Sequence, residues 1–304
     1  MGQQGIEVEG LRRAFGSTHA VREMTFTAAP GRVTALIGPN GAGKTTLLLM
    51  LATLLAPDAG TIRIDGLDPA ADAAGVRTRL GWMPDVLGSW SSLTTRTTLE
   101  LTGRLYRMSR PAAAARAAEL IDLVALGDLA DRPTRVLSRG QKQRLSLARA
   151  LVHDPAVLLL DEPASGLDPE ARVELRSLVR RLADDGRTLL VSSHVLAELE
   201  EMADDAVYVL DGRTVPPDRV EALRAGMRPW RVRAEDPGAL EAALGGIEGV
   251  AADHLGTLVP VPDEAGAADL LVRLTGAGVR VTSFAPASGD FERTFLELAR
   301  EEGR

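Results

Sequence analysis

VTALIGPNGAGKTTLLLMLATLL, residues 33–55, places three elements in succession. Residues 33–37 form a short apolar run rich in β-formers. Residues 38–45 fit G-x-x-x-x-G-K-[ST] without a mismatch, and residues 46–55 are leucine-rich and long enough for a buried helix. A glycine-rich turn ahead of a core helix is the plainer reading of such a pattern. The strand on one side and the helix on the other weigh instead for a loop that cradles phosphate.

The loop's composition suits a triphosphate. Gly38, Gly41 and Gly43 allow backbone conformations that a Cβ forbids and bring amide N–H groups close to phosphate oxygens. The helix N-terminus adds partial positive charge at the same place. Lys44 would give a point charge to the β- and γ-phosphates, and the Thr45 hydroxyl would be a ligand of Mg²⁺. Lys44 and Lys142 are the only lysines among 35 Lys+Arg. A compact ammonium fits between phosphates where a planar guanidinium does not, which explains why position 44 escaped the general replacement by arginine.

A chain of 304 residues suits two domains and can bury a sizeable core. With 45% hydrophobic and 25% charged residues the composition is that of an ordinary soluble protein, and a net charge of -7 argues against a polyanion-binding surface. Nucleic acid is therefore not an expected partner, and 3% aromatic content argues against base stacking. Cysteine is absent, which removes disulfides and thiolate metal sites and suits a reducing compartment. The polar start MGQQGIEVEG does not read as a signal peptide. The longest apolar run, residues 47–56, is half of the ~20 residues that a membrane-spanning helix needs.

Along the chain, residues 6–8 and 21–28 alternate as strands, with Phe15 and Gly16 in the turn between them. Phe15 is either a packing contact or a ring placed to stack on adenine. Residues 57–66 read as a turn and strand, and residues 80–83 as another strand ending at Pro84 and Asp85. Residues 93–131 change to helical periodicity, an insertion in an otherwise α/β stretch. LSRGQ, residues 137–141, precedes a helix expected over 142–151, so Ser138 and Gly140 lie at its cap and first turn. They are a simple helix cap or a second anion site used in trans. Residues 156–160 form an apolar run of the kind found in buried parallel strands, ending in Asp161, Glu162 and Pro163. Carboxylates at that end of a strand lie where open α/β sheets bind ligands. Asp161 would hold Mg²⁺ through its water shell, leaving Glu162 to polarise an attacking water. SGLD, residues 165–168, is a turn before a helix, and the strand over 188–192 leads to His194. An isolated histidine is commonly structural, but this one sits where an imidazole could reach a γ-phosphate or the attacking water.

GPNGAGKTT, LSRGQ, VLLLDEP, SGLD and SSH in this order resemble the nucleotide-binding subunit of ABC transporters over residues 4–215. The resemblance implies a head-to-tail dimer with two ATP molecules buried between the phosphate loop of one chain and the signature loop of the other. By that likeness Phe15 would stack on adenine, and Gly38, Pro39, Asn40, Gly41, Ala42, Gly43, Lys44, Thr45 and Thr46 would bind ATP and Mg²⁺. Ser138, Gly140 and Gln141 would reach the partner's γ-phosphate. Asp161 would be the Mg²⁺-side carboxylate, Glu162 the general base, Asp168 a dimer-communication residue and His194 the switch histidine. Two positions depart from the pattern. Arg139 replaces the first glycine of the usual LSGGQ, and Asp85 stands for the usual glutamine, keeping an oxygen ligand for Mg²⁺ but adding charge and losing length.

From residue 229 the order strand, helix, strand, strand, helix, strand and closing helix suggests a small ferredoxin-like α+β domain. The ending FERTFLELAR resembles ATPase subunits of the drug and polysaccharide exporter (ABC-2 type) branch, which implies a dimerisation or regulatory role. The expected fold is thus an α/β P-loop NTPase core over 1–220, with a helical subdomain near 88–150, and an α+β domain over 221–304. The expected activity is ATP hydrolysis that drives export of a small molecule or antibiotic. The expected partners are an integral-membrane permease and a second copy of the chain, at the cytoplasmic face of the membrane. The alternatives are a soluble ABC ATPase acting on ribosomes or DNA, and a non-hydrolysing ATP-gated resistance or sensor protein.

Overall fold

The structure, a computed structural model, describes residues 4–86, 88 and 91–302. Residues 89 and 90, at the start of the expected helical subdomain, and the terminal residues of both expected domains lie outside that set. Contacts divide the chain into two units, Met1–Val215 and Pro216–Arg304, whereas the sequence reading put the junction five residues later.

In the first unit, β1 (Ile6–Phe15) and β2 (Thr18–Ala28) make an antiparallel pair that β4 (Ala59–Ile64) extends. The sequence reading ended the first strand at Val8. The strand continues through charged EGLRRAF because breaks in register after Val8, Leu11 and Arg13 spoil its alternation while pairing persists. Phe15 accordingly ends β1 instead of sitting in the turn.

The other strands are β3 (Val33–Ile37), β5 (Leu80–Met83), β6 (Val157–Asp161), β7 (Thr188–Ser192), β8 (Asp205–Leu210) and β9 (Arg213–Thr214). The nine strands order as β4-β1-β2-β9-β8-β3-β7-β6-β5. β8, β3, β7, β6 and β5 run parallel, and β3, β6 and β7 are buried at every residue, which is why they read as unbroken apolar runs.

Helix α1 (Lys44–Leu51) lies between the two parts of the sheet. Its Leu47, Leu48, Met50 and Leu51 share one core with Ile6, Leu11 and Met24 of the antiparallel part and Leu36, Leu159 and Leu190 of the parallel part. With both parts of the sheet packed against it, the helix needs no amphipathic stripe, and each of those four side chains contributes about 1.5–3 kcal/mol of burial. Short α2 (Ala73–Arg79) precedes β5, and α3 (Thr95–Leu105), α4 (Arg110–Leu123) and α5 (Arg139–Leu151) form the helical insertion. Ser109 caps α4 and Ser138 caps α5, so α5 begins three residues earlier than its apolar periodicity implied. Helices α6 (Pro169–Asp184) and α7 (Leu196–Glu200) complete the unit.

The second unit contains α8 (Pro217–Arg224), β10 (Arg228–Ala234), α9 (Pro237–Leu244), β11 (Ala251–Asp253), β12 (Gly256–Val261), α10 (Glu264–Gly276), β13 (Val281–Pro286) and α11 (Asp290–Glu302). Its antiparallel order β11-β12-β10-β13 is that of the ferredoxin-like arrangement. Val232, Val259 and Val261 of the sheet meet Leu240, Leu244, Leu270 and Leu274 of α9 and α10. The sequence reading did not place α8; Arg293 of α11 ties it down by donating to the carbonyls of Leu223 and Arg224.

One half-buried histidine makes the first unit acid-sensitive. His153 stacks flat on Tyr106, with centroids 3.8 Å apart, and its Nε2 donates to the Leu80 carbonyl at 3.1 Å. Burial pushes the imidazole down to about 4. The unfolded chain therefore binds the extra proton first, and stability is lost as pH falls from about 6.5 towards 4. His153→Phe is expected to remove about 1–2 kcal/mol of the stability lost between pH 7 and 5, measured by urea denaturation at each pH. An unchanged pH profile would sink this assignment.

Candidate active site

Four neighbouring parallel strands end at one edge, and each delivers part of the site. β3 leads into loop 38–43, β7 into Ser192 and His194, β6 into Asp161 and Glu162, and β5 into Asp85. Crossovers between parallel strands bring their carboxyl ends to the same side, so residues up to 156 apart in sequence meet there.

Two close approaches fix the loop. A Cβ on Gly38 would lie 2.3 Å from the Val209 carbonyl, and one on Gly43 would lie 2.3 Å from that of Ala20. Gly43 also has φ +97°, a left-handed conformation at the N-cap of α1 that side chains disfavour. Glycine therefore lets the β1–β2 hairpin close against the loop. Ala42 is buried, while Pro39, Asn40, Gly41 and Thr45 are exposed and Thr46 is half-buried. Lys44 is half-buried and its Nζ donates to the carbonyls of Gly38 at 2.6 Å and Pro39 at 3.1 Å.

The charges here are held partly out of water. Burial pushes Lys44 down from its ordinary value, against the pull of Glu162 and Asp161. Asp161, 7% exposed, is pushed up by burial and by the nearby Asp85 carboxylate, while the Ser192 hydroxyl, Lys44 and the Asp85 N–H hold it down. Glu162 is likewise raised, first by burial, with Asp161 and Asp85 adding to it and His194 opposing. A raised carboxylate pKa makes a stronger base.

Glu162 is positioned from three sides. His194 Nδ1 lies 2.7 Å from Glu162 Oε2; since a carboxylate only accepts, Nδ1 carries the hydrogen. Gln143 of α5 donates through Nε2 to the Glu162 carbonyl at 2.7 Å, and the Glu162 N–H donates to the Ser192 carbonyl at 3.1 Å. Sequence reading missed both Ser192 and Gln143. Serine ending an apolar strand beside His194 was a usable signal for the first; nothing but a buried helical position marked Gln143.

The remaining expected residues make their contacts outside this centre. Phe15 is 49% exposed at the end of β1, with the Arg13 guanidinium 4.9 Å from its ring centroid. Ser138 and Gln141 form a reciprocal cap on α5, Ser138 Oγ accepting from the Gln141 N–H at 3.3 Å and Gln141 Oε1 from the Ser138 N–H at 2.9 Å. Gly140 approaches Gly166 and Leu167. Asp168 caps α6 by accepting from the Ala171 N–H at 2.9 Å. Within one chain the 138–141 turn thus lies against Gly166 and Leu167, and neither its hydrogen bonds nor those of Asp168 reach the phosphate loop.

Asp161→Asn tests this electrostatic account. Because the folded state raises its pKa, ionised Asp161 costs stability above that pKa and the cost vanishes below the unfolded value near ~3.9. The variant is expected to melt above the parent at pH 7, with the gain shrinking as pH falls towards 4. A variant that melts lower at pH 7 would overturn the account.

The family model for ABC transporters matches residues 21–165. The chain is 35% identical to the daunorubicin resistance ATP-binding protein DrrA3 of Streptomyces coeruleorubidus, over all of this chain and 98% of the relative. It is 37% identical to the Nod factor export ATP-binding protein I of Paraburkholderia xenovorans, over 80% and 81%. A dimeric ATP-binding cassette in a post-hydrolysis state, bound to ADP and Pi, superposes with TM-score 0.64 at 25% identity, over 69% of this chain and 97% of that one. With a phosphate loop, a carboxylate pair partly withdrawn from water and a histidine on one strand edge, and a relative matched from end to end, the chain belongs to the ATP-hydrolysing, ATP-binding subunits of ABC transporters.

Proposed function

We propose that this chain energises export of a small molecule through a separate integral-membrane permease, by in-line attack of water on the γ-phosphate of ATP. The observation that carries the reading is the convergence of Lys44, Asp161, Glu162 and His194 at adjacent strand ends. Glu162, its carboxylate raised by burial and oriented by His194, takes the proton of the attacking water. Lys44 and the loop amides bind the phosphates.

The donor chemistry fits Mg²⁺. The Ser192 hydroxyl holds the Asp161 carboxylate in place, Thr45 is exposed, and the Asp85 carboxylate is near. Such hard oxygen donors, few in number, suit an ion that keeps much of its water shell. Bound there, Mg²⁺ would neutralise charge developing on the phosphate oxygens.

Two copies would close head to tail, so that Ser138, Gly140 and Gln141 of one meet the ATP held by Lys44 of the other, with Phe15 against the adenine and Asp168 at the contact. The 138–141 turn, with Ser138 exposed and with no hydrogen bond to its own phosphate loop, supports this arrangement. The dimeric cassette above supports association of two copies. No helix of the described residues is long and apolar enough to cross a membrane, so the permease would be another chain with this one docked at its cytoplasmic face. The names of the matched relatives, one for daunorubicin resistance and one for Nod factor export, support export as the direction of transport.

Glu162→Gln is expected to keep ATP binding, to lose about 100-fold or more of turnover, and to shift to dimer mass with Mg-ATP in size-exclusion chromatography. Co-purification of that variant with a polytopic membrane protein would support the exporter reading. Undiminished hydrolysis would remove Glu162 from the mechanism, and recovery of ribosomes or DNA would replace the exporter reading.

A further inference from the structure

Arg139, the departure from LSGGQ, has a specific partner in its own chain. It is the first residue of α5, and its Nη2 donates to Ser165 Oγ at 2.8 Å. Its stem lies along Gly166, where φ is +75° and a Cβ would come within 2.7–3.0 Å of Arg139 Cδ, Nε and Cγ. Glycine at 166 is therefore what lets the guanidinium lie across the 165–168 loop and reach the hydroxyl.

Ser165 is itself joined to the reaction centre. Its N–H donates to the Glu162 carbonyl at 3.1 Å, the same oxygen that receives Gln143 Nε2 from one turn further along α5. Glu162 has φ +52°, a conformation that is costly for a residue with a Cβ and persists only where its surroundings hold it. The N-terminus of α5 thus reaches the Glu162 peptide by two routes: directly through Gln143, and through Arg139 and Ser165.

We propose that Arg139 is a positioning residue which couples the two ATP sites of the dimer, by passing movement at its own Ser138 through Ser165 to the backbone that carries Glu162. The proposal rests on the head-to-tail arrangement of the proposed function, in which Ser138 meets the partner's ATP and Glu162 serves the chain's own. ATP held at Ser138 by the partner fixes the α5 N-terminus, and the Arg139–Ser165 bond then holds Glu162 in the conformation that polarises water. Each site would therefore work fully only when the other is filled.

The test is a double-mutant cycle on the full chain with Arg139→Ala, Ser165→Ala and their combination, with Ser165→Thr as the conservative control. A charge-assisted bond of this kind sets the expected loss in kcat at about tenfold. That loss should be the same in both single variants and no greater in the double variant, and the Hill coefficient for ATP should fall towards 1. Ser165→Thr, which keeps the hydroxyl, should restore both. Binding of a fluorescent ATP analogue to the isolated chain should be unchanged in every variant, which a merely unfolded protein would not satisfy. Additive losses, or a loss in Arg139→Ala that Ser165→Ala does not share, would overturn the coupling while leaving the dimer intact. Failure of Glu162→Gln to dimerise with Mg-ATP would overturn the coupling and the dimer together.

Discussion

Lys44 facing Asp161 and Glu162 in a half-desolvated crevice is the interaction on which the molecule depends. All three groups are shifted against their charged forms, and burial is the leading cause each time. Charges so placed are tolerated because a strong scaffold fixes them. Fully buried strands β3, β6 and β7 carry them, and α1 anchors both parts of the sheet in one core. The site draws on that stability to keep a base strong and an ammonium partly desolvated, an arrangement that favours phosphoryl transfer over stability.

The same scaffold explains why small residues recur where main chains meet. Gly38 against Val209 and Gly43 against Ala20 bring the phosphate loop between β8 and the β1–β2 hairpin with no room for a side chain. Loop geometry is thereby made a property of the whole first unit. Glu162 follows the same logic through hydrogen bonds: His194, Gln143, Ser165 and Ser192 each hold one of its atoms, and together they keep it at positive φ. The second unit has its own core and sheet, and the chemistry described here lies in the first.

Much of this was legible from residue order. The strands over 80–83 and 188–192 read to the residue because a strand buried on both faces is an unbroken apolar run with sharp polar ends. The phosphate loop and the DEP sequence were legible because each packs its chemistry into a few consecutive residues. β1 was cut short because bulges interrupt its alternation, and α5 was started late because a capped first turn of Arg, Gly and Gln carries no apolar signal.

The sequence by itself determined which groups are present, which ends of which strands carry them, and that they suit a triphosphate. Tertiary structure alone decided which of them meet. Ser192 with Asp161, His194 with Glu162, Gln143 with Glu162 and Arg139 with Ser165 are separated by 31, 32, 19 and 26 residues. No local periodicity encodes such pairs, because they follow from strand order and helix packing. Burial shifts pKa values by the solvent that the whole fold removes, so the strength of Glu162 as a base is likewise a property of the folded chain.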